Sequence, residues 1–202
     1  MKPTLVILAA GASSRLGQPK VLAQIQDCGK TVLDHLLDAS ENWCSQTPLV
    51  VAGADHGPIQ SACKTAQVLN HLEWSQGRTG GLAAAVRARP DQDFLLWPAD
   101  SPCFGTEDVE LLTQTFGAAK FPSMGWLAPR CPDGAFGHPV ILGRELLALA
   151  LALNLSPDTP LRDLRKHANP LWSVELSHSG ARINLDTPAA LSEVRAWFQE
   201  GR

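Results

Sequence analysis

The chain has 202 residues, of which 45% are hydrophobic and 18% charged, and its net charge is -3. That length suits one sizeable domain, and that balance excludes a disordered chain. A pI near 6.0 argues against the clustered basic face that nucleic acid requires, yet leaves room for a small phosphorylated ligand, which needs only one or two well-placed cations.

Thr4–Ala9 is an unbroken apolar run, the pattern of a parallel strand covered on both faces. With Lys2 before it and Ala9-Ala10-Gly11-Ala12 after it, the segment superficially resembles a secretory leader. Its apolar core is short, however, and runs straight into Ser13-Ser14-Arg15, so it reads as a buried first strand. Gly11–Gly17 is loop. Thr31 and Asp34 make a helix-capping signal ahead of Val32, Leu33, Leu36 and Leu37 at helical spacing. Pro48 opens a second strand, Leu49–Ala52, ending at Gly53. A helix is expected over His56–Ala66 and a third strand over Gln67–Leu72.

Gly77–Gly81 reads as a second glycine-rich loop, followed by a helix over Leu82–Ala88. Phe94–Trp97 is a fourth apolar strand running into Pro98-Ala99-Asp100-Ser101-Pro102. A helix over Thr106–Phe116 follows, then strands over Met124–Ala128 and Pro139–Leu142 around a polar loop, Pro129–Gly137. Arg144–Leu153 and Pro160–His167 are expected to be helical, Leu171–Leu176 and Ile183–Leu185 extended, and Pro188 to start a terminal helix reaching Gln199. Strands alternating with helices predict an α/β fold: a Rossmann-like three-layer sandwich around a mostly parallel sheet, one domain over residues 1–202. No later stretch is long enough to span a membrane. The five cysteines, Cys28, Cys44, Cys63, Cys103 and Cys131, are odd in number and lack C-x-x-C spacing. A disulfide framework or zinc site is not expected, and a reducing cytoplasm fits.

Ligands of an open parallel sheet bind beyond the carboxyl ends of its strands. Three such ends carry chemistry here. The first is the stretch from Leu8, Ala9, Ala10 and Gly11 through Ser13, Ser14 and Arg15 to Lys20: small residues let backbone amides approach phosphate oxygens, and the two cations supply charge. It is neither a Walker A loop nor a G-x-G-x-x-G fingerprint. Spacing alone leaves a plain strand-to-helix turn with solvated cations open. The second is Asp100, a natural Mg²⁺ ligand opposite a phosphate loop, or else a helix N-cap or turn aspartate before Ser-Pro. The third is Asp186, which joins Asp100 in holding one metal ion, or else shares with Thr187 the capping of the last helix. Gly77, Gly80 and Gly81 offer amides to a base edge or anion, with a flexible turn as the alternative. His138, after a polar loop, is a weaker candidate for touching substrate.

Taken in series, these segments resemble the MobA-like family of nucleotidyltransferases, most closely its molybdenum cofactor cytidylyltransferase branch. The specific match is Leu8-Ala9-Ala10-Gly11-x-Ser13-Ser14-Arg15-Leu16-Gly17-x-x-Lys20. Trp74-x-x-Gly77 with Gly81-Leu82, Leu96-x-x-x-Asp100-x-Pro102, Gly137-His138-Pro139-Val140 and Asp186-Thr187-Pro188 follow in the family's order. The resemblance spans nearly the whole chain. It implies transfer of a nucleoside monophosphate from a nucleoside triphosphate to a small phosphorylated acceptor, plausibly the molybdenum cofactor, with release of pyrophosphate. Arg15 and Lys20 would bind the triphosphate, and Asp100 with Asp186 would hold Mg²⁺. Ala10, where guanylyl-transferring relatives tend to carry glycine, favours CTP. A molybdoenzyme or its chaperone is an implied partner; nucleic acid and membrane are not. The departures are Gly80-Gly81 in place of a serine-containing turn, Ser101 in place of glutamine, and Asn184 in place of a second aspartate. They keep open a catalytically weak binding protein of the same fold. A dinucleotide-dependent oxidoreductase, suggested by fold class alone, lacks its glycine fingerprint.

Overall fold

The structure is a computed structural model and describes residues 2–44, 47–76, 79–153 and 159–201. Leu5, Val6 and Ile7 are all fully buried, because β1 (Thr4–Ala9) is covered on both faces. Side chains of a strand point alternately to opposite faces, and here the alternation divides two cores. Leu5 and Ile7 join Val50, Ala52, Leu95, Trp97, Leu127 and Ile141 in one; Val6 joins Leu49, Val51, Phe94, Leu96, Trp126, Val140 and Leu142 in the other.

The strands are β1, β2 (Leu49–Ala52), β3 (Gln67–Asn70), β4 (Phe94–Pro98), β5 (Trp126–Arg130), β6 (Val140–Leu142) and β7 (Leu171–Glu175). They form one sheet in the order β3-β2-β1-β4-β6-β5-β7. β1 pairs in parallel with β2 and β4, β2 with β3, and β5 with β7; β6 runs antiparallel to both β4 and β5. The first core is covered by α1 (Val32–Ser40), α2 (His56–Ala62), α4 (Thr106–Ala118) and α6 (Pro188–Gln199). The second is covered by α3 (Thr79–Ala88) and α5 (Arg144–Ala152). The sheet is mostly parallel with helices on both sides, as the sequence predicts.

Local chemistry sets the helix starts. Thr31 Oγ1 accepts from the Asp34 amide at 3.2 Å while the Asp34 carboxylate accepts from the Thr31 amide at 2.9 Å, the reciprocal cap expected for α1. Thr187 Oγ1 accepts from the Ala190 amide at 3.2 Å, with Pro188 in the first turn of α6.

Several boundaries differ from expectation. α2 stops at Ala62, because Cys63 turns extended to lead into β3. Thr79, Gly80 and Gly81 lie in the first turn of α3 rather than in a loop, and Gly77 lies outside the described residues. Leu161–His167 is a 3-10 turn. Ile183–Leu185 is not a strand: the Leu185 amide donates to the Asp100 carbonyl at 2.6 Å, which ties this segment to the loop after β4. Among the described residues no helix is long and apolar enough to cross a membrane.

Candidate nucleotide site

β1, β2 and β4 end side by side, with Ala9 level with Ala52 and Leu8 with Pro98. The chain leaving β1 therefore meets the chain leaving β4 at the carboxyl edge. Ser13 adopts positive φ (49°), and its carbonyl accepts from the amides of Leu16 and Gly17 at 3.0 and 3.1 Å, curling residues 11–17 into a tight turn. The Lys20 amide donates to Ser13 Oγ at 3.2 Å, closing the curl. The amides of Gly11, Ala12, Ser13, Ser14 and Arg15 donate to no acceptor among the described residues. A run of unpaired amides in a turn is an anion-binding concavity.

Lys20 is the centre of the site. Its Nζ lies 2.5 Å from Asp186 Oδ1 and 3.8 Å from Asp100 Oδ2. Arg15 Nη2 lies 3.1 Å from Asp186 Oδ2. The Lys20 side chain is 19% exposed and that of Arg15 69%, so the lysine contact is the better shielded from solvent. The Lys20 hydrogen bond, then the nearby charges of Lys20 and Arg15, hold the Asp186 carboxyl below the usual carboxylate range. A cavity of about 100 Å³ is lined by Ser13, Ser14, Arg15, Lys20 and Asp186. A larger one, about 290 Å³, is lined by Ile25–Cys28, Phe198 and Gln199 and has no cationic side chain in its lining.

Neither aspartate caps a helix, and Asp100 stands in the turn that follows β4. Thr187 caps α6, and Asp186 points to Lys20 and Arg15 instead. Asp100 is no helix cap either: Gly105 precedes α4, and its amide donates to Asp108. Ser101 Oγ donates to Asp100 Oδ1 at 3.2 Å and lies 3.3 Å from Asn184 Oδ1, so the Ser101 and Asn184 departures meet each other beside Asp100.

Among the described residues no group of three or more His, Cys, Asp or Glu is gathered as a metal cage. Two carboxylates converging on one point still suit Mg²⁺, which keeps several waters and takes one or two carboxylates plus substrate phosphates. Asp100 and Asp186, each within 4 Å of Lys20 Nζ, are two carboxylates that could serve in this way.

The sequence did not single out Gly53 or His71. A Cβ on Gly53 would sit 2.5 Å from both the Ala10 carbonyl oxygen and Trp74 Cβ. Only glycine lets Trp74 close over the start of the phosphate loop; the signal available was a glycine directly after a strand. His71 Nε2 is buried without a partner, and a Cβ on Gly80 would sit 2.7 Å from it. Gly80, where a serine-containing turn is usual, thus makes room for the imidazole, whereas a Cβ on Gly81 would meet Leu8 and Val51 only at an ordinary 3.6 Å. His138 is half-buried in the bend two residues before β6, its amide donating to the Ala181 carbonyl at 3.1 Å. Burial lowers its pKa against the opposing pull of Asp100, so it is neutral at pH 7. The thiols are free, and burial pushes Cys44 and Cys103 up to about 12, which removes them as nucleophiles.

Comparison with known proteins fits this geometry. The molybdenum cofactor cytidylyltransferase of Escherichia coli (strain K12) is 23% identical over 185 residues, 91% of this chain and 90% of that protein. The bifunctional protein GlmU of Azorhizobium caulinodans is 26% identical over 161 residues, 76% of this chain; the chain spans 35% of that protein's length. A nucleotidyl transferase from Methanothermobacter thermautotroptrophicus shares the fold with a TM-score of 0.77 at 20% identity, over 100% of this chain and 99% of that one. So do a Mycobacterium tuberculosis H37Rv protein solved in complex with manganese (TM-score 0.73, 18% identity, 97% and 99%) and a CMP:2-keto-3-deoxy-manno-octonic acid synthetase complexed with CTP (0.73, 18%, 100% and 100%). A family model for the MobA-like NTP transferase domain matches residues 5–171, most of the chain, and the chain belongs to that family of nucleotidyltransferases.

Proposed function

We propose that the protein transfers a cytidylyl group from CTP to the phosphate of a small acceptor of the molybdenum cofactor type, with Mg²⁺. An acceptor phosphate oxygen forms the new bond to the α-phosphorus, the bond between that phosphorus and the α–β bridging oxygen breaks, and pyrophosphate leaves with the electron pair. The observation that carries the reading is the convergence of Asp100 and Asp186 on Lys20, beside the unpaired amides of residues 11–15. Such a site has little covalent work to do; it aligns two reactants and offsets charge on phosphoryl oxygens. The loop amides and Arg15 would hold the triphosphate, and Lys20 would turn from the carboxylates to its oxygens. Asp100 and Asp186 would hold Mg²⁺, which when bound supplies positive charge to those same oxygens. Ala10 and the cytidylyltransferase relative favour CTP. Gly77, Gly80 and Gly81 belong to the base side of this proposal, and a cytoplasmic setting with handover to a molybdoenzyme or its chaperone goes with it.

The test is pyrophosphate release with CTP, GTP, ATP and UTP, each against molybdenum cofactor and sugar-phosphate acceptors. CTP with the molybdenum cofactor is expected to be the productive pair, and Asp100→Ala to abolish turnover. Undiminished turnover by Asp100→Ala would sink the metal assignment. A second reading, a binding protein of weak activity, is favoured by Asn184, which places an amide where a further carboxylate would strengthen the metal site. Cofactor binding by calorimetry without pyrophosphate from any nucleotide would select it.

A further inference from the structure

The second half of the sheet carries an arginine in an unusual setting. Arg165, in the 3-10 turn Leu161–His167, places its guanidinium carbon 5.3 Å from the Trp126 ring centre and 5.0 Å from that of Phe136. Arg15, Arg130, Arg144 and Arg182 each face a carboxylate. Arg165 faces none among the described residues, although it is half-buried and its Nε is sealed from solvent without an acceptor. Two more buried polar atoms without a partner belong to the same neighbourhood: Nε1 of Trp126, over whose ring Arg165 lies, and Nδ1 of His138, which feels the Arg165 charge. Buried polar groups are nearly always satisfied, so orphans gathered in one place point to a missing binding partner.

The position is apt for the acceptor. The antiparallel register sets Leu96 opposite Val140, so His138, just before β6, comes near the carboxyl end of β4, where the charge of Asp100 acts on it. Phe136 is bridged to Arg130 at the carboxyl end of β5, and its ring is 49% exposed. Thr79 Oγ1 donates to the Thr159 carbonyl, so the chain leading into the 3-10 turn starts at the first turn of α3, on the opposite flank of the same edge. Burial, and then the charge of Arg162, pull Arg165 below the usual arginine range, so the protonated form lacks an anion here. A guanidinium near two rings and without a carboxylate partner keeps its donors for another anion, and its planar fork suits a phosphate bidentately.

We propose that Arg165, Phe136 and His138 form the acceptor subsite, in which the guanidinium takes a phosphate monoester and the half-exposed Phe136, which Arg130 also approaches at 6.0 Å, packs its ring against the apolar group joined to that phosphate. This rests on the nucleotidyl-transfer reading and names the chemistry of its second substrate. The subsite binds the acceptor and not the nucleotide, whose phosphates belong to the Gly11–Lys20 loop.

Two measurements on the full chain test it. In the first, the arginine Nε–H signals of labelled protein are followed by NMR, that of Arg165 being identified by its loss in Arg165→Lys. Phenyl phosphate is expected to shift it saturably, inorganic phosphate to do so more weakly, and phenol not at all; in Phe136→Ala the two phosphates should bind alike. In the second, Arg165→Gln is expected to raise the acceptor KM about tenfold or more, the scale of one lost charge-assisted hydrogen bond, with the KM for CTP within about twofold of wild type. An Arg165 signal indifferent to both phosphates overturns the subsite. So does a rise confined to the KM for CTP, or a loss of thermal stability with both KM values unchanged. If the wild-type protein releases no pyrophosphate from any nucleotide, it is the transfer reading that falls, and the NMR titration still decides the subsite.

Discussion

Gly53 decides how closely two distant stretches of chain can meet. With 2.5 Å between its hypothetical Cβ and the Ala10 carbonyl oxygen, the obstacle is backbone, which cannot swing aside as a long side chain would. Gly53→Ala is expected to cost about 1–3 kcal/mol, as overpacking does, and to raise the KM for the nucleotide more than that for the acceptor, because Ala10 and Trp74 are what must move. Denaturant melts and initial rates check both, and wild-type values for the two together would refute the close-approach account. The charged residues of the site, by contrast, were legible in the sequence. Lys20 and Asp100 lie beyond strands whose ends can be read from local pattern, Asp186 stands just before the Thr-Pro start of α6, and the chemistry of all three is intrinsic. Gly53, His71 and Arg165 owe their roles to neighbours far away in sequence, which no local pattern encodes.

Among elements, α1 was the most readable, since Thr31 and Asp34 carry both halves of a cap within four residues of each other. Thr31→Ala is expected to cost about 1 kcal/mol, a loss of ~2–4 °C in Tm for a domain of this size, with the nucleotide KM unchanged. A melting scan beside a kinetic run checks it, and an unaltered Tm would show the cap to be idle. Direction was harder to read than type. The apolar run Val140–Leu142 identifies a strand, but nothing in three buried residues says that it enters the sheet reversed between β4 and β5. Ile183–Leu185 misled for a related reason. Its apolar residues are drawn inward by one backbone bond from Leu185 to Asp100 and by packing under α6, without any ladder. The glycines at 80 and 81 suggested a loop by propensity, and helix packing against β1 and β2 overrode it.

At the scale of the molecule, His35 joins three elements. Its Nε2 lies 3.0 Å from the Phe104 carbonyl oxygen and its ring packs on Phe198 at 4.6 Å and Trp97 at 6.3 Å, binding α1 to the chain beyond β4 and to α6. Burial lowers its pKa to about 4 from an ordinary 6.5. Between those values the unfolded chain binds a proton that the folded one refuses. Stability therefore rises with pH across that window and is lost as pH falls through it, by on the order of 3 kcal/mol in all. His138, also lowered by burial, acts in the same direction. Asp186 is lowered by its cations, so its contribution is lost only below the carboxylate range, outside this window. Unfolding free energies measured from pH 7 to pH 4 are expected to fall, and His35→Gln to remove part of the slope; an equal slope in the variant would exclude His35 as its source.

The meeting of Arg15, Lys20, Asp100 and Asp186 has a kinetic side as well. Two positive and two negative groups within one small cleft cancel at any distance beyond a few ångströms, and the chain as a whole carries -3. A bare nucleotide polyanion approaching through solvent meets no attractive field and gains its partners only on arrival, so the rate of its encounter is set by diffusion and fit, with little dependence on ionic strength.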